Sequence, residues 1–270
     1  NLDLRVMRQD PHQFGAGIVN QENRIIDWQE KPANPRTNLA SMGIYVFDTR
    51  YLLRVLAHDR NEVDFGIDIL PRAIAEDQVF AYPFYGYWRD VGTIQAYWEA
   101  TMDVIRHGSG LTPQEWGIRT NIEADGRSMD RAPARFLSGS SVRSSMISAG
   151  SVIEGTVINS VLSPGVLVGK GAVIRDSVIF EDSVIGKGAI VDLAICDKHV
   201  RVGKDAVVGH GDNKETPNRS HPKHLYTGIT LIGKQTEIPG GITIGRNCIV
   251  NPGRREGDFA GRSLADGDSL

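Results

Sequence analysis

Four short stretches in the first third of the sequence carry side chains able to hold phosphates, hydroxyls and a divalent cation. They are Glu30-Lys31-Pro32 within WQEKPANP, Ser41-Met42-Gly43, Asp64-Phe65-Gly66, and the run GYWRDVGT over residues 86–93. Lys31 precedes a proline, which biases its backbone toward an extended conformation at a strand end. An ammonium there offers a point charge to a phosphate, and the adjacent Glu30 can accept sugar hydroxyls. Asp90 follows an aromatic segment and precedes a glycine-containing turn and a helix start. A carboxylate so placed suits Mg²⁺, which takes one or two protein carboxylates and completes its shell with water or phosphate oxygens. Gly92 permits close backbone approach. Each residue also has a plainer reading: a strand-end lysine is commonly solvated, and an aspartate near a helix start is commonly a cap. Asp64-Phe65-Gly66 is not a kinase signature, because no HRD-type loop and no following Ala-Pro-Glu accompany it.

The elements that must position these residues are legible in outline. Gly17–Val19 and Arg24–Trp28 are apolar runs separated by Asn20-Gln21-Glu22-Asn23, which predicts a hairpin. Ser41–Phe47 (SMGIYVF) reads as a buried strand, and Asp48 as the cap of a short helix whose Leu52, Val55 and Leu56 share a face. Ala81–Trp88 alternates, with Tyr82, Phe84, Gly86 and Trp88 on one side, and predicts another strand. Thr93 reads as the cap of a helix packed through Tyr97, Trp98 and Ile105. Residues 1–106 therefore form an α/β domain, and the charged, proline-containing segment 107–135 a linker.

From about Met146 the sequence repeats. Ser160–Asp176, Ser177–Leu193 and Ala194–His210 are 17-residue blocks that align without gaps. Gly169, Gly186 and Gly203 coincide in them, as do Lys170, Lys187 and Lys204. A short period rich in β-branched residues with a recurrent glycine suits the coil of a parallel β-helix over residues 136–252. The glycines are expected where the chain turns with positive φ. A polar insertion over 211–227 interrupts the coils, and the polar tail 253–270 is expected to fray. Cys196 falls where Leu162 and Ile179 fall in the sister blocks, which assigns it to packing.

Composition excludes several classes. With 270 residues and a net charge of −3, the chain has no global basic field for nucleic acid or anionic lipid. Two cysteines without CxxC spacing give neither a disulfide framework nor a zinc site and fit a reducing, cytoplasmic setting. No apolar run reaches transmembrane length. The start, NLDLRVMRQD, is no signal peptide and lacks an initiator Met, so the chain is expected to begin inside a longer protein.

Taken together, Phe14-Gly15, EKP followed by NP, ASMGIYVF, DFG-x-D-I-L-P and GYWRDVGT-x-x-AYW resemble the later part of the catalytic domain of bacterial glucose-1-phosphate adenylyltransferases over residues 12–106. The resemblance implies a partial, Rossmann-like α/β nucleotidyltransferase domain followed by a left-handed parallel β-helix of the hexapeptide-repeat type. It implies transfer of AMP from ATP to glucose 1-phosphate, giving ADP-glucose and pyrophosphate. By match to the family's motifs, Lys31 would bind the sugar phosphate, with Lys31 and Asp90 the catalytic pair. Glu30, Ser41 and Asp64 would contact the glucose, Trp88 would shape the sugar pocket, and Asp90 would be one of two carboxylates on Mg²⁺. Lys198 and Arg201, in DKHVR, resemble a stretch that binds a phosphorylated allosteric effector; the alternative is a pair of exposed corner residues. The family also implies a cytoplasmic homotetramer.

The family's N-terminal glycine-rich nucleotide loop and first metal-binding aspartate have no counterpart here, so this chain alone is expected to be inactive. A non-catalytic regulatory subunit, and a relative using UTP, dTTP or GTP, remain as alternatives. An acyltransferase reading would need a base among His199, His210, His221 and His224, but lone loop histidines are usually solvated. Arg143, Arg246, Arg254 and Arg255 are further candidates for a phosphate-binding patch.

Overall fold

The computed structural model describes residues 14–57, 62–106, 108–111, 123–124, 127–128 and 131–270. The chain divides into two compact units, Asn1–Asp90 and Val91–Leu270. Most of the expected linker over 107–135 lies outside the described residues.

In the first unit, β1 (Ala16–Val19) and β2 (Ile25–Gln29) form the predicted antiparallel hairpin, with Gly17 opposite Trp28. Its turn is closed by the Asn20 side chain, whose Oδ1 accepts from the Glu22 and Arg24 amides at 3.0 Å. Asn23 supplies the left-handed residue, φ 60°. Helix α1 (Thr49–Leu56) begins at Asp48, whose carboxylate accepts from the Tyr51 amide, and buries Val55. A π-helical turn, Phe65–Ile69, leads into α2 (Leu70–Glu76).

Two predicted strands are absent. Neither 41–47 nor 81–88 joins a ladder; Val46 is 95% and Tyr82 90% exposed. Their β-branched and aromatic patterning is real, but a strand is defined by its partner. Among the described residues each segment is tied to the hairpin only at its start: Ser41 N donates to the Gly15 carbonyl and Ala81 N to the Asn23 carbonyl, beside single bridges at Ala40 and Phe80.

The second unit opens with α3 (Ile94–Asp103), capped by Thr93. It docks on the repeat region through Trp98, whose indole N–H donates to the Asp176 carbonyl at 2.8 Å, and through Tyr97, stacked on Phe180. Met102, which the sequence pattern did not single out, is fully buried. Beyond it the chain winds into a left-handed parallel β-helix of three six-stranded sheets. Each strand is two or three residues long, and each pairs with its equivalent one coil away, as in Leu162↔Ile179 and Ile179↔Cys196.

The 17-residue period has a conformational origin. Left-handed residues recur at Asn159, Gly165, Gly171, Asp176, Asp182, Gly188, Leu193, His199 and Asp205, in steps of six, six and five. Each marks a corner between two flat faces. Inside, aliphatic residues stack coil upon coil, each fully buried one contributing about 1.5–3 kcal/mol. The serine that heads the blocks is buried as well. Ser160 Oγ donates to the Ile158 carbonyl and accepts from the Ser177 amide; Ser177 Oγ does the same toward Arg175 and Ala194.

Gly169, Gly186 and Gly203 do not have positive φ; the corners lie two residues further on. They are glycine because of the next coil. A Cβ on Gly186 would lie 2.7 Å from the Val202 carbonyl oxygen and 2.9 Å from Lys204 N, both backbone atoms that cannot swing aside. The insertion does not break the stack, since Ala194 still pairs with Thr230 and Val208 with Ile244. Its anchor is Asn218, fully buried, whose amide donates to the Asn247 and Gly267 carbonyls.

The tail does not fray. Phe259, in α4 (Glu256–Phe259), is fully buried, Leu264 and Ser269 bridge to the coils at Ile244 and Ile249, and Leu270 accepts from the Asn251 amide at 2.7 Å. The last coil would otherwise leave an apolar end in water, and these few apolar residues cover it. Among the described residues no helix is long and apolar enough to cross a membrane.

Two outcomes follow. Gly186→Ala should lower stability in urea titration by about 1–3 kcal/mol, the usual cost of overpacking. Gly257→Ala, at a site with open space and ordinary φ, should change it by at most about 0.5 kcal/mol; equal effects would refute the stacking argument. Burial pushes the Cys196 thiol up to about 12 and the Cys248 thiol up to about 11 from an ordinary 9.0. Both folded values are raised, so the neutral thiols' contribution to stability is complete below pH 9.0 and is lost as pH rises toward them. Ellman's reagent at pH 8 should therefore titrate neither thiol in the native protein and both after denaturation.

Candidate active site

The first unit holds a cavity of about 390 Å³ lined by Phe14, Gly15, Glu30, Ser41, Met42, Gly43, Tyr45, Val63, Asp64, Phe65, Gly66, Trp88 and Asp90. Five of the six pocket residues singled out by motif — Glu30, Ser41, Asp64, Trp88 and Asp90 — thus converge on one space, from segments spread over 60 positions of sequence.

Each is delivered by a local device. Glu30 is the first residue beyond β2, two positions from Trp28 and so on the same side of the strand direction. Asp64 precedes the π-helical turn, and its Oδ1 accepts from the Gly66 and Ile67 amides at 2.7 and 2.8 Å. One oxygen of that carboxylate therefore caps the turn while the residue also lines the cavity. Ser41 Oγ lies 3.1 Å from Tyr45 Oη and accepts from the Gly43 amide at 3.1 Å. Trp88 meets Phe14 edge to face at 5.4 Å between centroids. Asp90 is half-buried at the cavity wall.

Lys31 departs from expectation. It is left-handed, φ 43°, rather than extended, with its amide donating to the Phe14 carbonyl at 3.2 Å. That bond extends the pairing of β1 and β2 by one further step, and the left-handed turn comes at Lys31 despite the bias imposed by Pro32. The side chain is not part of the cavity wall; its ammonium lies 3.9 Å from Glu30 Oε1, with 66% of the side chain exposed. Tyr45, stacked on Phe65 at 5.7 Å, was missed as a pocket residue although it sits within the quoted ASMGIYVF. Beside this cavity lies an apolar one of about 520 Å³, sharing Ser41, Met42 and Tyr45 and walled by Ile44, Phe47, Leu70, Phe84 and Tyr87.

Among the described residues no three His, Cys, Asp or Glu side chains are grouped to enclose a metal ion. The donor set of the cavity is instead carboxylates on an open wall, Asp90 with Glu30 and Asp64. That fits a cation that keeps water and shares phosphate oxygens, and does not fit a closed protein cage.

The candidates on the β-helix are more mixed. Lys198 Nζ lies 3.8 Å from Glu181 Oε1, and Arg201 stands opposite Glu237 in the adjacent strand. Arg246 is 4% exposed and donates to the Asp192 carboxylate and to the Asp192 and Gly211 carbonyls. It anchors the insertion and is not available to a phosphate. Arg255 is paired with Glu237, and Arg254 lies 3.8 Å from Asp258.

The two roles of Asp64 are separable. Asp64→Ala should cost about 1 kcal/mol of stability through the lost cap, whereas Asp64→Asn keeps an accepting oxygen and should leave the thermal midpoint nearly unchanged. An Asn variant as destabilised as the Ala variant would contradict the cap assignment.

Residues 4–107 match the nucleotidyl transferase family, and residues 132–232 match the GlmU-like C-terminal hexapeptide family. Among curated proteins the chain is similar to the glucose-1-phosphate adenylyltransferase of Thermotoga maritima, 42% identical over 274 residues, covering 98% of this chain and 63% of the relative. The enzyme of the same name from Thermomicrobium roseum is 44% identical over 269 residues, covering 97% and 61%, and that from Acetivibrio thermocellus 39% over 258 residues, covering 92% and 58%. The chain spans less than two thirds of the length of these relatives.

Proposed function

We propose that this chain is part of a glucose-1-phosphate adenylyltransferase, in which it forms the sugar-binding part and β-helix of an enzyme joining ATP and glucose 1-phosphate; its similarity to enzymes of that name supports the reading. The products are ADP-glucose and pyrophosphate. The observation that carries the reading is the convergence of Glu30, Ser41, Asp64, Trp88 and Asp90 on one cavity.

In this reading a phosphate oxygen of glucose 1-phosphate attacks the α-phosphorus of ATP. One P–O bond forms, the bond to the β-phosphate oxygen breaks, and pyrophosphate leaves with that electron pair. Such a step needs positioning and charge neutralisation more than a strong base. Glu30 accepts sugar hydroxyls, and Ser41, paired with Tyr45, can donate or accept. Asp64 offers the carboxylate oxygen not used in its cap, Trp88 walls the sugar, and Lys31 meets the phosphate from the rim beside Glu30. Asp90 would hold Mg²⁺, whose charge, when bound, offsets that of the phosphate oxygens.

The same reading carries a phosphorylated effector, a homotetramer and a cytoplasmic setting. Lys198 and Arg201 are the effector candidates, and an anion at Lys198 would compete with Glu181.

The test is pyrophosphate release from ATP plus glucose 1-phosphate by the full-length polypeptide carrying this chain. Asp90→Asn should lower turnover by about 10² or more with the fold retained; unchanged turnover would remove the metal role. Preference for UTP, dTTP or GTP would move the protein to another sugar nucleotidyltransferase, and no turnover with any nucleotide would favour the regulatory-subunit reading.

A further inference from the structure

The Glu30 carboxylate sits in a slot whose walls are two glycines. A Cβ on Gly66 would overlap Glu30 Oε2 and approach its Cδ to 2.7 Å. A Cβ on Gly15 would come within 2.9 Å of the same oxygen and overlap the Trp28 ring. Neither glycine has a positive φ. What the site uses is the missing side chain, which lets two stretches of backbone close on one carboxylate.

The position of Gly66 is itself fixed at both ends of the residue. Its amide donates to Asp64 Oδ1 at 2.7 Å, and its carbonyl accepts from the indole Nε1–H of Trp28 at 2.8 Å. Trp28 is half-buried, held in β2 opposite Gly17, and two residues from Glu30. One rigid side chain therefore ties the hairpin that carries Glu30 to the turn that confines it. A shift of the turn would widen the slot and free the carboxylate to rotate.

We infer that Trp28 is a positioning residue for the sugar: by holding the Gly66 carbonyl it fixes the direction in which Glu30 accepts hydroxyls, and so sets selectivity among sugar epimers. This rests on the sugar-phosphate reading above. Trp28 itself contacts no phosphate in this scheme. Its effect belongs to the hydroxyl-bearing part of the ligand and leaves the phosphate part unchanged.

Trp28→Phe keeps an aromatic ring and removes the donor. Calorimetric titration with glucose 1-phosphate, galactose 1-phosphate and inorganic phosphate separates the possibilities. Affinity for glucose 1-phosphate should fall about tenfold, the size expected when a bond orienting a charged group is lost. The preference over the galactose epimer should shrink, and affinity for inorganic phosphate should stay unchanged. Retained epimer preference, or an equal loss for all three ligands, overturns the inference while leaving the sugar-phosphate reading standing. A wild-type protein that binds glucose 1-phosphate no better than inorganic phosphate removes that reading and this inference with it. Should Trp28→Phe not fold, solvent exchange of the wild-type indole proton decides. Glucose 1-phosphate should slow exchange at Trp28 and inorganic phosphate should not; exchange as fast as in free indole refutes the bond.

Discussion

Backbone packed directly against backbone is the constraint on which this protein depends. Interiors have the density of organic crystals, so where two main chains approach closely there is no room for a methyl group. The β-helix meets this at several coils. Gly155, Gly169, Gly186, Gly203 and Gly233 each face the main chain of the next coil across a gap that a Cβ would close. The pocket meets a related limit once, where the backbone at Gly15 and Gly66 closes on the Glu30 side chain. The same absence of a side chain stacks coils in one unit and confines a carboxylate in the other.

The two uses differ in what they secure. In the β-helix, close approach brings each amide to the carbonyl one coil away, as Gly186 N reaches the Val202 carbonyl at 2.8 Å. The hydrogen bonds run along the stack while aliphatic side chains fill its interior, so both requirements are met by one short period. At the pocket, the gain is orientation. A carboxylate held between two backbones presents its lone pairs in one direction.

Polar side chains in the β-helix are structural to a degree their chemistry conceals. Arg246 and Asn218 look like ligands by type, but both are buried and committed to backbone carbonyls that the insertion would otherwise leave unpaired. Arg131 spans two coils to meet Asp182 in a bidentate pair, crossing Gly165, where a side chain would collide with it. These residues close the fold around its irregularities.

The β-helix was legible in the sequence because a repeat states the same environment several times. Position, period and the inward place of Cys196 follow from aligning blocks whose residues must stack on one another. The motif residues of the pocket were legible as types, since carboxylates, a serine and a lysine near glycines have few chemical uses together. The sequence could not determine how they meet. That Lys31 bonds back to Phe14 in a left-handed conformation and that Trp28 reaches Gly66 across 38 residues both depend on contacts between distant segments. Strand character failed as a guide at 41–47 and 81–88 for the same reason, and the tail packs because Phe259 and Leu264 find an apolar coil end to cover. Local pattern fixes what a segment can do, but which partner it finds is decided only when the chain is folded.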